Sequence, residues 1–172
     1  MNHNITVRRL GANEASGYIE ALVDVLIGCV EGGASVSFML PISRTTAVEF
    51  WTRIAHGVAR DERILLVAED AQETIVGTVQ IVVDQPHRAD VAKMLVVRRA
   101  RRQGIARRLM AAADDAARAA GKSVLVLDTV TGGNAEHLYE RAGWQRVGVV
   151  PNYALMPDST SCATTFFHKQ LA

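Results

Sequence analysis

VAKMLVVRRARRQGIARRLM, residues 91 to 110, decides how the chain is read. Asp90 to Val97 is rich in Val, Met and Leu, the composition of a buried central strand. Six arginines then fall within eleven positions, from Arg98 to Arg108, with no carboxylate among them. From Gly104 the apolar period changes: Ile105, Leu109, Ala113, Ala116 and Ala120 form one stripe of a helix, with Arg107, Ala111, Asp114 and Arg118 on the opposite side. Arg107 and Arg108 in a first helical turn oppose the partial positive charge of the helix dipole, at roughly a few tenths of a kcal/mol each. An anionic group would offset that. The N–H groups of Gln103 to Arg107 would point at it, and Gly104 and Ala106 carry almost no side chain to keep it away. Charge alone allows a solvated basic loop equally well.

Outward from this stretch, strands and helices interleave. A strand at Ile5 to Leu10 precedes a helix in which Tyr18, Leu22, Val25, Leu26 and Cys29 recur at helical spacing, stopped by Gly32-Gly33. A second helix runs from about Thr45 to Val58. Arg63 to Glu69 and Thr74 to Val83 form a hairpin about the turn Asp70 to Glu73. Beyond the arginine helix, which Gly121 ends, come a buried strand at Ser123 to Thr129, a short helix at Asn134 to Ala142, and strands at about Trp144 to Val150 and Thr164 to Gln170. The pattern predicts an α/β or α+β layer fold and one domain over residues 1–172.

Composition narrows the classes of function. The chain has 19 Lys plus Arg against 18 Asp plus Glu, a formal net charge of +1, so its basicity is local rather than spread over a face as nucleic-acid binding favours. No Phe, Tyr or Trp lies between Trp51 and Tyr139 to stack bases beside the arginines. Neither GxxxxGK[ST] nor GxGxxG occurs, which argues against a P-loop and a dinucleotide fold. Cys29 and Cys162 lack CxxC or histidine neighbours, so no metal is expected. No apolar run reaches the roughly 18 residues of a membrane span. No membrane, no nucleic acid and a cytoplasmic location are the expectations, with a homodimer allowed.

The strand, loop and helix resemble the signature of the GNAT superfamily of N-acetyltransferases, whose loop pattern Q/R-x-x-G-x-G/A reads here Arg101-Arg102-Gln103-Gly104-Ile105-Ala106. NAEHLYERAGWQRVG, from Asn134, resembles the family's following helix and strand. EGGASVSFM, LDT, AEHLYERAGW and PNYALMPD are similar to the tabtoxin-resistance acetyltransferases. The resemblance covers essentially the whole chain. It implies a GNAT-like fold: a central mixed, mostly antiparallel sheet of six to seven strands flanked by about four helices. It implies acetyl-CoA as co-substrate, with its pyrophosphate on Arg101, Arg102, Gln103, Gly104, Ile105, Ala106 and Arg107. The pantetheine arm would lie along Met94, Leu95, Val96 and Val97, and Asn134 would touch it.

Acetyl transfer to an amine needs a neutral amine, a polarised thioester and a proton for the departing thiolate. In the family pattern LYExxG the tyrosine lies near the cofactor sulfur, which makes Tyr139 the candidate donor; a core tyrosine fits the apolar stripe Ala135, Leu138 and Ala142 as well. Asp90 falls where many members carry a glutamate base. Asp90 and Asp128, on neighbouring strands in the implied fold, are candidates to orient the amine and relay its proton through water, against the plainer reading of capped strand ends. Asn134 also reads as an N-cap. His87 and His137 read as surface residues and are left out, and Cys162 has no visible base. Ser35, Ser37 and Phe38 are the candidates for acceptor contact. The implied activity is N-acetylation of a small amino-acid-like amine, including a tabtoxinine-type β-lactam antimetabolite, in antibiotic resistance or detoxification. A protein or peptide N-acetyltransferase and a non-catalytic CoA-binding module remain as alternatives.

Overall fold

A computed structural model describes residues 4–171. The elements in order are β1 (Thr6–Leu10), α1 (Ala12–Gly17), α2 (Ile19–Glu31), α3 (Arg44–Ala59), β2 (Arg63–Glu69), β3 (Ile75–Val82) and β4 (Arg88–Val96). A 3₁₀ turn at Arg98–Ala100 leads to α4 (Ile105–Ala119), β5 (Val124–Val130), α5 (Asn134–Arg141), β6 (Gln145–Leu155) and β7 (Ser161–Gln170). One seven-stranded sheet has the order β1-β2-β3-β4-β5-β7-β6, antiparallel except for the β4–β5 pair. No helix among the described residues is long and apolar enough to cross a membrane.

The sheet separates two cores. On one face α4 lays Ile105, Leu109, Met110, Ala113 and Ala117 against Ile64, Leu66, Val79 and Ile81, and this core continues under α5 to Tyr139, Trp144 and Phe167. On the other, α1, α2 and α3 cover Leu65, Val67 and Leu95 with Leu22, Leu26, Trp51 and Ile54. Strand β2 therefore alternates between two buried faces, Ile64 and Leu66 to one and Leu65 and Val67 to the other. Gly77 on β3 lets the first turn of α4 approach closely, since a Cβ there would stand 3.0 Å from the Leu95 carbonyl and 3.1 Å from Leu109 Cδ1.

Several boundaries differ from the sequence reading. The first helical stretch is two helices, α1 and α2, joined at Tyr18, which gives five helices rather than about four. On α4 the buried face is rotated: Ala120 is exposed, while Asp114 is buried and pairs with Lys169 at 2.5 Å. Alanines are too small to mark a face, so the periodic count could not fix the rotation. Strand β6 runs to Leu155, past Pro151, by a register shift between Val150 and Ala154. A proline is tolerated there because β6 is an edge strand.

Candidate functional site

Where the sheet turns parallel, it also opens. β4 and β5 pair only through Arg88, Ala89 and Asp90 with Val124, Leu125 and Val126. β4 continues to Val96 and β5 to Val130, so their far halves diverge. The Val96 carbonyl accepts from Arg101 Nε at 3.0 Å and from Cys29 Sγ at 3.6 Å. Burial pushes the Cys29 thiol up, against the pull of Arg101, so the thiol stays protonated and inert.

A cleft of about 980 Å³ runs from this divergence to the start of α4, near the upper end of the roughly 300–1,000 Å³ range of ligand clefts. Met94, Leu95 and Val96 line it from β4, Arg101, Arg102, Gly104, Ile105, Ala106 and Arg107 from the loop and helix, and Asn134 from α5. Two of the expected cofactor residues do not line it, nor do the expected catalytic residues Tyr139, Asp90 and Asp128. Val97 packs against both cores, and the exposed Gln103 donates from Nε2 to the Arg99 carbonyl at 3.3 Å. Cys29, Ala34, His137, Leu138, Arg141 and Ala142 line it and were not expected. Asn134 is the first helical residue of α5 rather than its cap, a place Gly133 takes.

The helix start is open to an anion. Gly104 is the N-cap of α4 at φ 77°, without a side-chain capping bond. The first backbone bond of the turn runs from Arg108 N–H to Gly104 C=O, so the N–H groups of Ile105, Ala106 and Arg107 lack helical partners. Arg102 is also left-handed, at φ 61°, a conformation costing a non-glycine residue roughly 1 kcal/mol or more. Only Arg99 of the run has a carboxylate, Asp70 at 3.2 Å, among the described residues. Anionic charge for the others must come from a ligand or solvent.

Near the divergence Tyr139 and Asp128 come within electrostatic reach of each other. Tyr139 on α5 is buried against Trp144 and Phe167, with ring centroids 6.1 and 5.9 Å away. Burial first, and then the Asp128 charge, push its phenol up to about 12. Asp128 is exposed on its strand, yet the protein crowded around it raises its carboxyl by desolvation, Lys93 lowers it and Asp90 raises it again.

The second face is set by register. Arg63, Val82, Asp90, Val126, His168 and Gln145 form one cross-strand row from β2 to β6. Two residues further along each strand, Gln80 pairs with Ala92 on one side of the gap and Asp128 with Phe166 on the other. Asp90 and Asp128 thus share a face. A loop from Gly32 to Ser43 arches toward the far end of the sheet, tied by Ser35 Oγ to the Leu155 carbonyl and by Leu40 N–H to the Pro157 carbonyl, each at 2.7 Å. Phe38 packs edge-on against Phe50 of α3 at 5.1 Å. Ser37 is exposed at φ 70°.

Lys93, the only charge within the apolar run Val91 to Val97, is half-buried. Burial draws its ammonium below the ordinary lysine range, against the opposing pull of Asp128.

Residues 36–144 match the Acetyltransferase (GNAT) family. An N-acetyltransferase from the hisH-hisA intergenic region of Azospirillum brasilense is 30% identical over 131 residues, 73% of this chain and 75% of that one. A phosphinothricin acetyltransferase from Sinorhizobium meliloti, solved with acetyl-CoA, is 15% identical, with a TM-score of 0.80 over 98% of this chain and 89% of its own. A ribosomal-protein-alanine N-acetyltransferase from Brucella melitensis is 22% identical, with a TM-score of 0.77 over 96% of this chain and 99% of its own. At such identities the two structures speak to fold. Their names carry different acceptors, so the shared fold leaves the acceptor open.

Proposed function

The chain belongs to the GNAT family of acetyltransferases, and from that premise we propose that it transfers the acetyl group of acetyl-CoA to the amine of a small amino-acid-like acceptor. The observation that carries the reading is the cleft, because it joins an uncompensated basic helix start to the point where β4 and β5 part, beyond whose lining Tyr139 and Asp128 lie within electrostatic reach of each other. A long ligand with one anionic end fits such a cleft. Acetyl-CoA supplies an activated acetyl thioester when bound.

The residues divide the work along the cleft. The N–H groups of Ile105, Ala106 and Arg107, with Arg101, Arg102 and Arg107, hold the diphosphate. Met94 to Val96 and Asn134 line the arm and bring the thioester to the gap. On reaction, the amine nitrogen bonds to the acetyl carbon, the carbon–sulfur bond breaks, and the sulfur takes a proton. Tyr139, held protonated by burial, is the group that can give it. Asp128 and Asp90 orient the ammonium and accept its proton through water, and the raised carboxyl of Asp128 brings it nearer to that task than an ordinary aspartate. Ser35 serves the acceptor pocket indirectly, by fixing the arch whose Ser37 and Phe38 wall it.

Thiol release from acetyl-CoA across a panel of amines tests this. The panel spans free amino acids, a tabtoxinine-type β-lactam amino acid, polyamines and peptides with free N-termini. Saturable thiol release matched by N-acetylated product is expected for an amino-acid-like member. Turnover confined to peptide N-termini would replace the reading with protein acetylation.

A further inference from the structure

Regular alternation would put Lys93 on the α4 face, because Ala89 and Val91 of the same strand pack into that core. Leu95 nevertheless packs into the opposite core. The change happens at a bulge: β3 advances from Thr78 to Gln80 while β4 advances from Leu95 to Ala92, and Lys93 sits within it at φ 52°. The bulge turns Lys93 away from α4. Its electrostatic neighbours are Asp128 and Arg63, both on the face of the open rows, and it does not line the cleft beside α4.

That face carries an unfinished charge pattern. Asp90 and Asp128 supply two carboxylates, and Lys93 and Arg63 two cations. Among the described residues no ion pair joins Lys93 to Asp128. Arg63 instead donates to Gln80 Oε1 at 3.0 Å, while Gln80 Nε2, fully buried, has no partner. A bare amine meeting Asp128 would compete with the half-buried ammonium of Lys93 for the carboxylate whose pull it feels. A zwitterion answers both signs at once.

We propose that Lys93 binds the carboxylate of the acceptor, so that the acceptor is a free α-amino acid whose ammonium lies against Asp128. This rests on the acetyl-transfer reading and deepens it. A peptide N-terminus, an ester or a polyamine offers no carboxylate beside the reacting amine and leaves the cation unmet.

The test compares thiol release from acetyl-CoA with proteinogenic α-amino acids and with their methyl esters, in the wild type, Lys93→Met and Lys93→Arg. The wild type is expected to favour the best free acid over its ester by about tenfold or more in kcat/KM, as a site built for a polar group rejects analogues lacking it. Lys93→Met should abolish that preference by slowing the acid alone, and Lys93→Arg should keep part of it, with acetyl-CoA affinity unchanged in both. Thiol release with equal use of acid and ester by the wild type, or an equal loss on both in Lys93→Met, overturns the role of Lys93 while leaving acetyl transfer standing. The wild-type comparison decides the matter even where a variant folds poorly. Absence of thiol release with every amine overturns the acetyl-transfer reading and this inference together.

Discussion

The α4 side of the sheet and the open face behind β5 make an instructive pair. The first is written in one continuous stretch: strand, basic loop and helix start follow each other from Met94 to Arg107 and meet one ligand cleft. The second is assembled from Asp90 on β4, Asp128 on β5, His168 on β7 and Arg63 on β2, which become neighbours only through cross-strand register. Its charges are mixed rather than single-signed. A site encoded locally keeps its chemistry whatever the rest of the chain does, whereas one encoded by register can change acceptor through single side chains on distant strands. The two halves meet where β4 and β5 part.

If the halves are separable in this way, single substitutions should divide between turnover and acceptor binding. The largest effect is expected at the junction. Tyr139→Phe should lower kcat by about 10²-fold, the size of a general-acid contribution, with the acetyl-CoA dissociation constant and acceptor KM nearly unchanged. Full activity in that variant would leave Tyr139 as a core residue. The same substitution has a stability signature. The buried phenol titrates at about 12 against about 10 in the unfolded chain, so its contribution is complete below pH 10 and is lost as the pH rises toward 12. Melts at about pH 9 and about pH 11.5 should show a shallower alkaline decline in Tyr139→Phe, and an unchanged decline would assign it to other groups.

A smaller and differently placed effect is expected on the open face. Asp128→Asn removes the charge that faces the ammonium and should raise acceptor KM by about tenfold, with acetyl-CoA affinity intact. Steady-state kinetics against both substrates check this. Equal weakening of both substrates would mean that the faces are not separable, and would sharpen the comparison against the account.

The contrast also explains what could be read from the chain. The strand–loop–helix unit was legible because periodicity, a lone Gly104 and an uncompensated run of arginines are local signals. The sheet architecture followed from the resemblance. Tyr139 and Asn134 were singled out through the short pattern around them; Asn134 lines the cleft, as the first helical residue and not the cap. The side on which Lys93 lies could not be read, for a physical reason. Counted along a regular strand it faces the α4 core, and only the bulge, which has no marker such as Gly or Pro in VAKMLVV, turns it to the other side. Ser35 lies on the loop singled out for acceptor contact, but its hydroxyl is committed to the Leu155 carbonyl, 120 residues away, a contact no local pattern carries. Cys29 and Arg141 enter the cleft from α2 and α5 in the same long-range manner.

The central claim is that the basic helix start holds the phosphates of acetyl-CoA, and calorimetric titration of acetyl-CoA into the wild type and an Arg102→Ala/Arg107→Ala double variant tests it most directly. The account predicts saturable binding by the wild type that weakens as salt is raised, and about tenfold or greater loss of affinity in the variant, whose fold is monitored by its melt. Affinity unchanged by the double substitution would contradict it.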